Sequence, residues 1–218
     1  MSDELRDRLR ALRVFEGDLP EFEPGETPEE PVPLFLAWLD DAIERDVRAP
    51  HAMTLANLDG YGRPDSRVLL LKGVAGGRLE FATSRTSRKG RGLTLTPWAA
   101  ATFHWPEIAR QVRVRGRVAD AGREAAARDF LARPKESRAE SLHGRQSERL
   151  DDPAKLDRAF EEGLERVAAE PELVPDHWVV YQLVPDEIEF WQGRPDRRHV
   201  RLRYRHDGER WTRALLWP

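Results

Sequence analysis

Three short stretches of the chain combine cations, hydroxyl groups and apolar strand residues in a pattern that suits a phosphorylated aromatic ligand. The first stretch reads RVLLLK and places Arg67 and Lys72 at the two ends of an apolar run. On a regular strand, residues an odd number apart face opposite sides, so these two cations could serve two separate anion sites. This stretch therefore predicts phosphate binding on one or both faces of a strand.

The second stretch, Thr83 to Lys89, ends a predicted strand and begins a predicted helix. Free backbone N–H groups and the helix dipole favour an anion at the start of a helix. Arg88 and Lys89 would supply the countercharge. The sequence thus predicts an anion site at this strand-to-helix junction.

The third stretch offers neutral donors and one more cation. Gln146 and Ser147 follow Arg133 and Ser137 in a segment that we predict to be a loop. Each cation taken alone is most simply explained as a solvated surface residue. The three stretches together, in one small domain, favour a shared binding site.

The composition limits the classes of protein that this sequence can specify. The 218 residues carry 36 basic and 39 acidic side chains, and the formal net charge of −3 argues against a general nucleic-acid binder. The absence of cysteine excludes disulfides, thiolate zinc sites and thiol nucleophiles, and it fits a reducing compartment. The first residues contain no apolar stretch long enough for a signal peptide or a membrane span. We expect a soluble cytoplasmic protein with neither nucleic acid nor membrane as partner.

Several common catalytic and metal-binding motifs are missing from the sequence. It contains no Rossmann or Walker-type glycine loop and no Gly-x-Ser-x-Gly elbow. The six histidines include no close pair at metal-ligand spacing, so the sequence predicts no metal site. The alternating arginines from Arg113 to Arg117 are typical of the solvated face of a strand, not of a nucleic-acid surface.

Apolar periodicity predicts a mainly β fold with peripheral helices. Helical spacing covers residues 5–12, 35–43, 87–95, 123–132 and 152–170. Strand patterns cover residues 53–58, 67–74, 79–83, 99–105, 111–118, 178–183, 187–191, 200–205 and 211–216. Most strands follow one another through short turns, so we expect an antiparallel sheet closed into a barrel with helices outside. Residues 1–33 are predicted to form an N-terminal helix and surface arm, and residues 34–218 the barrel domain.

Six elements of the sequence resemble the pyridoxamine 5′-phosphate oxidase family. They are RVLLLK (67–72), SRKG (87–90), RQVRVRG (110–116), RP (133–134) followed by Ser137, QS (146–147) and, most specifically, EFWQGRPDRRHVR (189–201). The resemblance implies an FMN-binding split β-barrel that works as a homodimer, with two flavin sites at the subunit interface. The barrel agrees with the periodicity, whereas FMN and the dimer follow from the resemblance alone.

The resemblance also implies roles for individual residues. The implied cofactor-binding residues are Arg67, Leu70, Lys72, Ala82, Thr83, Arg88, Lys89, Gln111, Gln146, Ser147, Trp191 and Arg201. Among them Arg67, Arg88 and Lys89 would hold the FMN phosphate, and Trp191 and Arg201 would reach the flavin from the partner subunit. The implied substrate-binding residues are Lys72, Arg133, Ser137, Arg197 and His199.

Arg197 and His199 are also the implied catalytic pair. The implied reaction converts pyridoxamine or pyridoxine 5′-phosphate to pyridoxal 5′-phosphate and reduces O2 to H2O2. Residues that bind the phosphate groups of the flavin and of the substrate would fix the two ring systems face to face. The redox chemistry would belong to the cofactor. A histidine can accept or release a proton near neutral pH, which suits His199 to proton transfer.

Some positions depart from the family pattern and leave alternatives open. Asp129 stands where a tyrosine usually contacts the substrate phosphate, and a carboxylate repels a phosphate. Ala82, Val200 and the segment 138–144 also differ from the family. One alternative is therefore an FMN-dependent oxidase of another aromatic intermediate, as in phenazine pathways. Another is a flavin-binding module without turnover.

Overall fold

The computed structural model describes residues 2–15 and 17–218, and the side chain of Ser2 lies outside that description. The helices are α1 Ser2–Arg10, α2 Pro31–Glu44, α3 Arg88–Leu95, α4 Arg123–Leu131, α5 Lys135–Leu142 and α6 Pro153–Ala169. The strands are β1 Ala52–Leu58, β2 Pro64–Leu70, β3 Gly73–Ala75, β4 Arg78–Ser84, β5 Trp98–Trp105, β6 Arg110–Asp120, β7 Trp178–Gln192, β8 Val200–His206 and β9 Trp211–Leu215. No helix within residues 2–15 and 17–218 is long and apolar enough to cross a membrane.

The strands form a nine-stranded sheet in the order β2-β1-β5-β6-β7-β4-β3, and β8 pairs with both β7 and β9. The pairs β1 with β2, β3 with β4, β4 with β7, β7 with β8 and β8 with β9 are antiparallel. Short turns join β1 to β2, β3 to β4 and β8 to β9, and a tight turn can join only antiparallel strands. The structure thus confirms the predicted antiparallel sheet with helices.

The chain divides into two compact units. The first unit consists of residues 1–50, 102–114 and 187–218, and the second of residues 51–101 and 115–186. Each unit has its own buried residues and its own candidate site residues, and each is described here separately.

The first unit packs α2 through aromatic side chains. The rings of Phe35 and Phe103 lie 5.0 Å apart, and those of Trp38 and Phe190 lie 5.2 Å apart. The guanidinium of Arg110 stacks on Trp38 at 4.3 Å. The predicted apolar stripe of this helix was wrong at its last position, because Ile43 is 53% exposed.

The second unit contains the β1–β2 hairpin, which has the predicted turn at residues 59–64. Asp59 Oδ1 accepts the backbone N–H groups of Tyr61 and Arg63, both at 2.9 Å. This carboxylate satisfies two donors that a tight turn leaves unpaired, which explains why aspartate begins the turn. The hairpin register then pairs Asn57 with Asp65 and Leu55 with Arg67.

The predicted strand 67–74 is interrupted in the structure. The N–H of Leu71 donates to the carbonyl of His51 at 2.9 Å, and the N–H of Lys72 donates to that of Glu80 at 2.8 Å. The chain therefore changes partner at these residues, and β2 ends at Leu70 while β3 starts at Gly73. The argument that Arg67 and Lys72 face opposite sides of one regular strand was wrong for this reason.

Two further boundaries differ from the prediction. Residues 135–142 are helix α5 and not loop, because Ala139 and Leu142 are buried in a cluster with Phe130 and Trp178. Residues 178–192 form one strand instead of two. The sheet continues past Pro185 since Gly116 has no side chain there, and a Cβ at Gly116 would lie 1.9 Å from the Val184 oxygen.

Candidate functional site

The predicted site residues fall into two groups, one in each unit. The second unit holds Arg67, Leu70, Lys72, Ala82, Thr83, Arg88, Lys89, Arg133, Ser137, Gln146 and Ser147. The first unit holds Gln111, Trp191, Arg197, His199 and Arg201. We call the surroundings of Arg67, Arg88 and Lys89 the cation corner, and the surroundings of Trp191 and His199 the aromatic pocket.

The start of α3 positions the cation corner. Ser87 is its N-cap: the Ser87 hydroxyl accepts the N–H of Gly90 at 3.1 Å and donates to the Ser84 carbonyl at 2.7 Å. A capping serine satisfies an unpaired donor of the first helical turn. A Cβ on Gly90 would lie 2.4 Å from the Arg85 carbonyl oxygen, so only glycine allows the helix to start this close to the preceding segment. The backbone therefore fixes where Arg88 and Lys89 emerge.

Lys89 is the buried cation of the corner, at 7% exposure. Its Nζ donates to Gln146 Oε1 at 2.8 Å, and the Thr83 hydroxyl donates to the same oxygen at 3.3 Å. Burial, together with the nearby positive charge of Arg67, lowers the pKa of Lys89 to about 8. Gln146 Oε1 accepts both of these bonds. The side-chain amide N–H groups of Gln146 donate none of them, so they can donate to a ligand.

Two carboxylates surround Arg67 and Arg88. Arg67 Nη2 lies 2.7 Å from Asp65 Oδ2, and Arg88 Nε lies 3.5 Å from the same oxygen. Arg88 Nη2 also donates to Asp59 Oδ2 at 2.9 Å. The pKa of Asp59 is lowered by the backbone N–H groups of Arg63 and Tyr61 and by Arg88. The corner thus contains three cations and two carboxylates in the absence of any ligand.

Ser147 closes one side of the corner. Its hydroxyl accepts a long bond of 3.4 Å from the backbone N–H of Arg88. Ser147 has a φ of +77°, a left-handed conformation that non-glycine residues rarely adopt. Such conformations persist where the surroundings enforce them, and they cluster at functional sites.

The predicted substrate-phosphate residues are not joined to one another. In the described part of the chain, no hydrogen bond or ion pair connects Lys72, Arg133 and Ser137. Arg133 instead donates to the Ser141 hydroxyl at 2.9 Å and stacks on Trp178 at 4.3 Å. Burial lowers the pKa of Arg133, and the charges of Asp129 and Glu140 oppose this.

Three more predicted residues of the second unit have plain surroundings. Lys72 is exposed, and Leu70 is 42% exposed at the end of β2. Ala82 packs against the buried helix cluster of α4, α5 and α6. Asp129 accepts the Trp178 indole N–H at 2.9 Å. Asp129, which differs from the tyrosine usual in the family, is therefore hydrogen-bonded to a side chain of the same chain.

The aromatic pocket of the first unit contains three rings in mutual contact. The His199 ring lies 5.0 Å from the Trp191 ring and 5.1 Å from the Phe15 ring, and Phe15 lies 5.7 Å from Trp191. The backbone N–H of Arg194 donates to His199 Nδ1 at 3.0 Å. Nδ1 therefore acts as an acceptor, so neutral His199 carries its hydrogen on Nε2, which can donate a hydrogen bond to a substrate.

A cavity of about 520 Å³ adjoins two of these rings, Phe15 and Trp191. Its lining includes Gln111, His104, Phe15 and Trp191. Pockets for small molecules usually measure roughly 300–1,000 Å³ and combine aromatic walls with a few polar groups. The size and lining of this cavity match that description.

Arg197 and Arg201, two further predicted residues of the first unit, differ in how firmly their side chains are held. Arg197 is exposed, has a φ of +65°, and places its guanidinium 5.4 Å from the Phe15 ring centre. Arg201 is held more firmly, since it forms two bonds of 3.1 Å to the carboxylate of Glu189 and one of 3.0 Å to the Trp217 carbonyl.

Sequence reasoning missed three residues that the structure brings to these sites: Phe15, Asp59 and Asp65. Phe15 lies in the predicted arm, and no periodic pattern marks it. Asp59 could have been found, because aspartate before a glycine-containing turn commonly accepts backbone N–H groups. Asp65 could also have been found, since residues two apart on a strand share a face and Arg67 was already a candidate.

The cation corner fits a phosphate monoester. A dianionic phosphate prefers guanidinium groups and helix starts, and the corner offers both. Burial lowers the pKa of Lys89, and an anion beside it would favour its charged form. Within residues 2–15 and 17–218, no cluster of three or more histidine, aspartate or glutamate side chains could hold a metal ion.

Two family models match the chain. Residues 39–167 match the model described as pyridoxamine 5′-phosphate oxidase. Residues 178–218 match the model described as the pyridoxine 5′-phosphate oxidase C-terminal dimerisation region.

Curated relatives of similar length also match. The chain is 38% identical to a pyridoxine/pyridoxamine 5′-phosphate oxidase of Legionella pneumophila (strain Paris), over 97% of this chain and 99% of that protein. It is 44% identical to a protein of the same name from Neisseria gonorrhoeae, over 87% of this chain and 90% of that protein.

Two solved structures resemble the whole fold. PhzG from Burkholderia lata 383, solved with tetrahydrophenazine-1-carboxylic acid, has a TM-score of 0.86 at 34% identity, covering 93% of this chain and 100% of that chain. A pyridoxamine 5′-phosphate oxidase-related, FMN binding protein from Nostoc punctiforme has a TM-score of 0.67 at 19% identity, covering 87% and 98%. These likenesses confirm the predicted fold class, an antiparallel split β-barrel with peripheral helices.

Proposed function

From the premise that this chain belongs to the pyridoxamine 5′-phosphate oxidase family, whose members are FMN-dependent oxidoreductases, we propose that it oxidises pyridoxamine or pyridoxine 5′-phosphate to pyridoxal 5′-phosphate. The observation that carries the proposal is the cation corner, where three cations meet at the start of α3. The proposed cofactor is FMN, held there by its phosphate. We further propose that residues 1–33 are an arm and residues 34–218 the FMN-binding domain.

The residues of the second unit act as binding groups in this proposal. Arg67, Arg88 and Lys89 neutralise the phosphate, and Gln146 offers its free amide N–H groups to a flavin carbonyl. Bound FMN would supply the two-electron chemistry, in which the substrate is oxidised and O2 is reduced to H2O2.

The residues of the first unit carry the proton chemistry. His199 acts as a donor in this proposal: its Nδ1 accepts the Arg194 N–H, so Nε2 carries the ring hydrogen and donates it in a hydrogen bond to the substrate. The adjoining arginine, Arg197, would contact the substrate ring. Burial of the substrate between aromatic side chains would exclude water from the reacting atoms.

We propose that the working unit is a homodimer. The support is the match of residues 178–218 to a dimerisation region, together with the exposure of Leu215 at 65% and Trp217 at 93% in that segment. Large apolar side chains exposed together often mark an interface. In the dimer, Trp191 and Arg201 would contact the flavin of the partner. Light scattering of the flavin-loaded protein should give twice the mass of the 25.1 kDa chain.

One experiment tests cofactor and activity together. The protein is loaded with FMN, excess flavin is removed, and pyridoxamine 5′-phosphate is added without oxygen. We expect the visible flavin absorption to bleach, and to return with formation of H2O2 when air is admitted. Failure to retain any flavin would overturn the proposal. Retention of flavin without bleaching by either vitamer phosphate would leave a flavin-binding module without turnover on vitamers.

A second candidate function is supported by the surroundings of Arg133. The negative charges of Asp129 and Glu140 act on this guanidinium, which already donates to Ser141, so it offers a dianionic phosphate little attraction. The alternative is an FMN-dependent oxidase of another aromatic intermediate, of the phenazine-pathway type. PhzG, the similar structure, was solved with an aromatic carboxylic acid.

The two functions are separated by the bleaching rates of two substrates. If phosphate recognition matters, pyridoxamine 5′-phosphate should bleach the flavin far faster than pyridoxamine without phosphate. If the second candidate is correct, the two vitamers should react equally slowly and a reduced aromatic carboxylate should react faster. Asp129→Asn then serves as a matched variant, since it removes one charge and keeps an acceptor for the Trp178 indole N–H.

A further inference from the structure

Asp65 occupies a distinctive place among the cations of the corner. One of its oxygens, Oδ2, lies 2.7 Å from Arg67 Nη2 and 3.5 Å from Arg88 Nε. Its negative charge also acts on Lys89, whose pKa it raises against the lowering by burial. A single carboxylate therefore interacts with all three cations proposed to hold the cofactor phosphate.

Neither arginine needs Asp65 in order to be positioned. Arg67 Nη1 donates to the Leu55 carbonyl at 3.2 Å and to the side-chain oxygen of Asn57. Arg88 is held by Asp59 at 2.9 Å. Positioning is thus already provided by groups other than Asp65.

Asp65 also differs from Asp59, the other carboxylate of the corner. Asp59 is buried and accepts two backbone N–H groups of the hairpin turn. The Asp65 side chain is 27% exposed, and within residues 2–15 and 17–218 no backbone N–H donates to its carboxylate. Asp59 is therefore needed by the fold, whereas the role of Asp65 in the chain is confined to its charge.

We propose that Asp65 is an internal counterion that competes with the cofactor phosphate for Arg67, Arg88 and Lys89, and so weakens cofactor binding. With both carboxylates charged, the corner has a net charge of +1; removal of the Asp65 charge makes it +2. A phosphate monoester carries about −1.5 to −2 at neutral pH, so it must displace this carboxylate or lie beside it. Both outcomes lower the affinity for the cofactor, because the negatively charged phosphate and the Asp65 carboxylate repel each other at short range.

This inference rests on the proposed cofactor, and its test is a binding measurement. FMN is titrated with the purified protein freed of flavin, and quenching of flavin fluorescence gives Kd. For Asp65→Asn, which keeps the side-chain size and removes the charge, we expect a Kd at least about tenfold lower, or 1.4 kcal/mol. Riboflavin, which lacks the phosphate, should bind both proteins equally.

Two variants serve as controls for the charge and for the fold. Asp65→Glu keeps the charge and should retain the weaker binding of the parent protein. Asp59→Ala removes the other charge from Arg88, and we expect a lower melting temperature because the turn loses its acceptor. If Asp65→Asn binds FMN no tighter than the parent, or binds it more weakly, the counterion proposal is wrong. If the parent protein binds neither FMN nor inorganic phosphate, the proposed function fails instead.

Discussion

The cation corner and the aromatic pocket are built from opposite kinds of interaction. In the corner, charged groups are fixed by short hydrogen bonds from a capped helix start and a strand, and Lys89 is buried. In the pocket, three rings lie against one another with few polar bonds, and Arg197 is exposed. The corner is therefore organised for holding an anion, and the pocket for contact with a ring and exchange of a proton.

Both regions share one feature, a left-handed residue at a predicted site position. Ser147 has a φ of +77° in the second unit, and Arg197 has a φ of +65° in the first. Each costs energy that the surrounding structure must supply, roughly 1–3 kcal/mol. The difference between the regions then becomes testable: variants of the corner should change affinity, and variants of the pocket should change rate.

The largest expected effect is a loss of rate in the aromatic pocket. For His199→Asn we expect kcat with pyridoxamine 5′-phosphate to fall by about 100-fold or more, the usual contribution of a general acid or base. The FMN Kd should stay unchanged. His206→Asn is the matched control, because His206 also lies against a tryptophan ring at 5.1 Å. Equal loss of rate in both variants would contradict a specific role for His199.

The next largest effect is a loss of affinity in the cation corner. Lys89→Met removes the buried charge and keeps the length of the side chain, so FMN binding should weaken by about 30–100-fold, as expected for a lost charged hydrogen bond of roughly 2–3 kcal/mol. Riboflavin binding should not change. Arg91→Met, an exposed cation of the same helix, is the control. A similar loss for riboflavin would show that Lys89→Met damages the fold and not the phosphate contact.

The corner could be predicted from the sequence because its signals are local. Ser87 before a basic run predicts a capped helix, and the glycine-containing turn at residues 59–64 predicts a hairpin. Both features depend on neighbouring residues only, and both are present in the structure. Leu55 and Arg67 are paired by that hairpin, which brings the arginine to the corner.

Other features depend on distant residues and could not be predicted in this way. Lys72 changes hydrogen-bonding partner to Glu80, and this choice is made by the sheet and not by the local pattern. Helix α5 forms because Ala139 is buried by other helices. Phe15 reaches His199 only through the path of the arm, for which the sequence has no periodic signal.

A smaller effect is the pH dependence of affinity at the corner. Burial lowers the pKa of Lys89 to about 8 in the protein without ligand, and a bound phosphate favours the charged form. The FMN Kd should therefore be flat from about pH 7 to pH 8 and rise above it, approaching about tenfold per pH unit. The phosphate is already dianionic there, since its second pKa is about 6. Lys89→Met should show no such rise, and a rise of equal slope in that variant would assign the effect to another group.

The same lowered pKa affects the unfolding free energy of the protein without ligand. Between pH 8 and the ordinary lysine value of 10.5, the unfolded chain holds a proton that folded Lys89 has released. Stability should therefore rise with pH over this interval, and the rise should be absent in Lys89→Met. Urea unfolding of both proteins at pH 7.5 and 9.5 measures it, and a parallel response of the two would contradict the assignment.

The smallest expected effect concerns the ring that covers His199. Phe15→Ala removes one of the two ring contacts of His199, and an aromatic contact contributes about 0.5–1.5 kcal/mol. We therefore expect kcat to fall by roughly two- to tenfold, because His199 is held less firmly, with no change in FMN Kd. Phe22→Ala is the matched control, since Phe22 contacts Trp38 at 4.9 Å elsewhere in the same arm. An increase in kcat would show that Phe15 obstructs the pocket, and a change in FMN Kd would show that the pocket contributes to cofactor affinity as well as to rate.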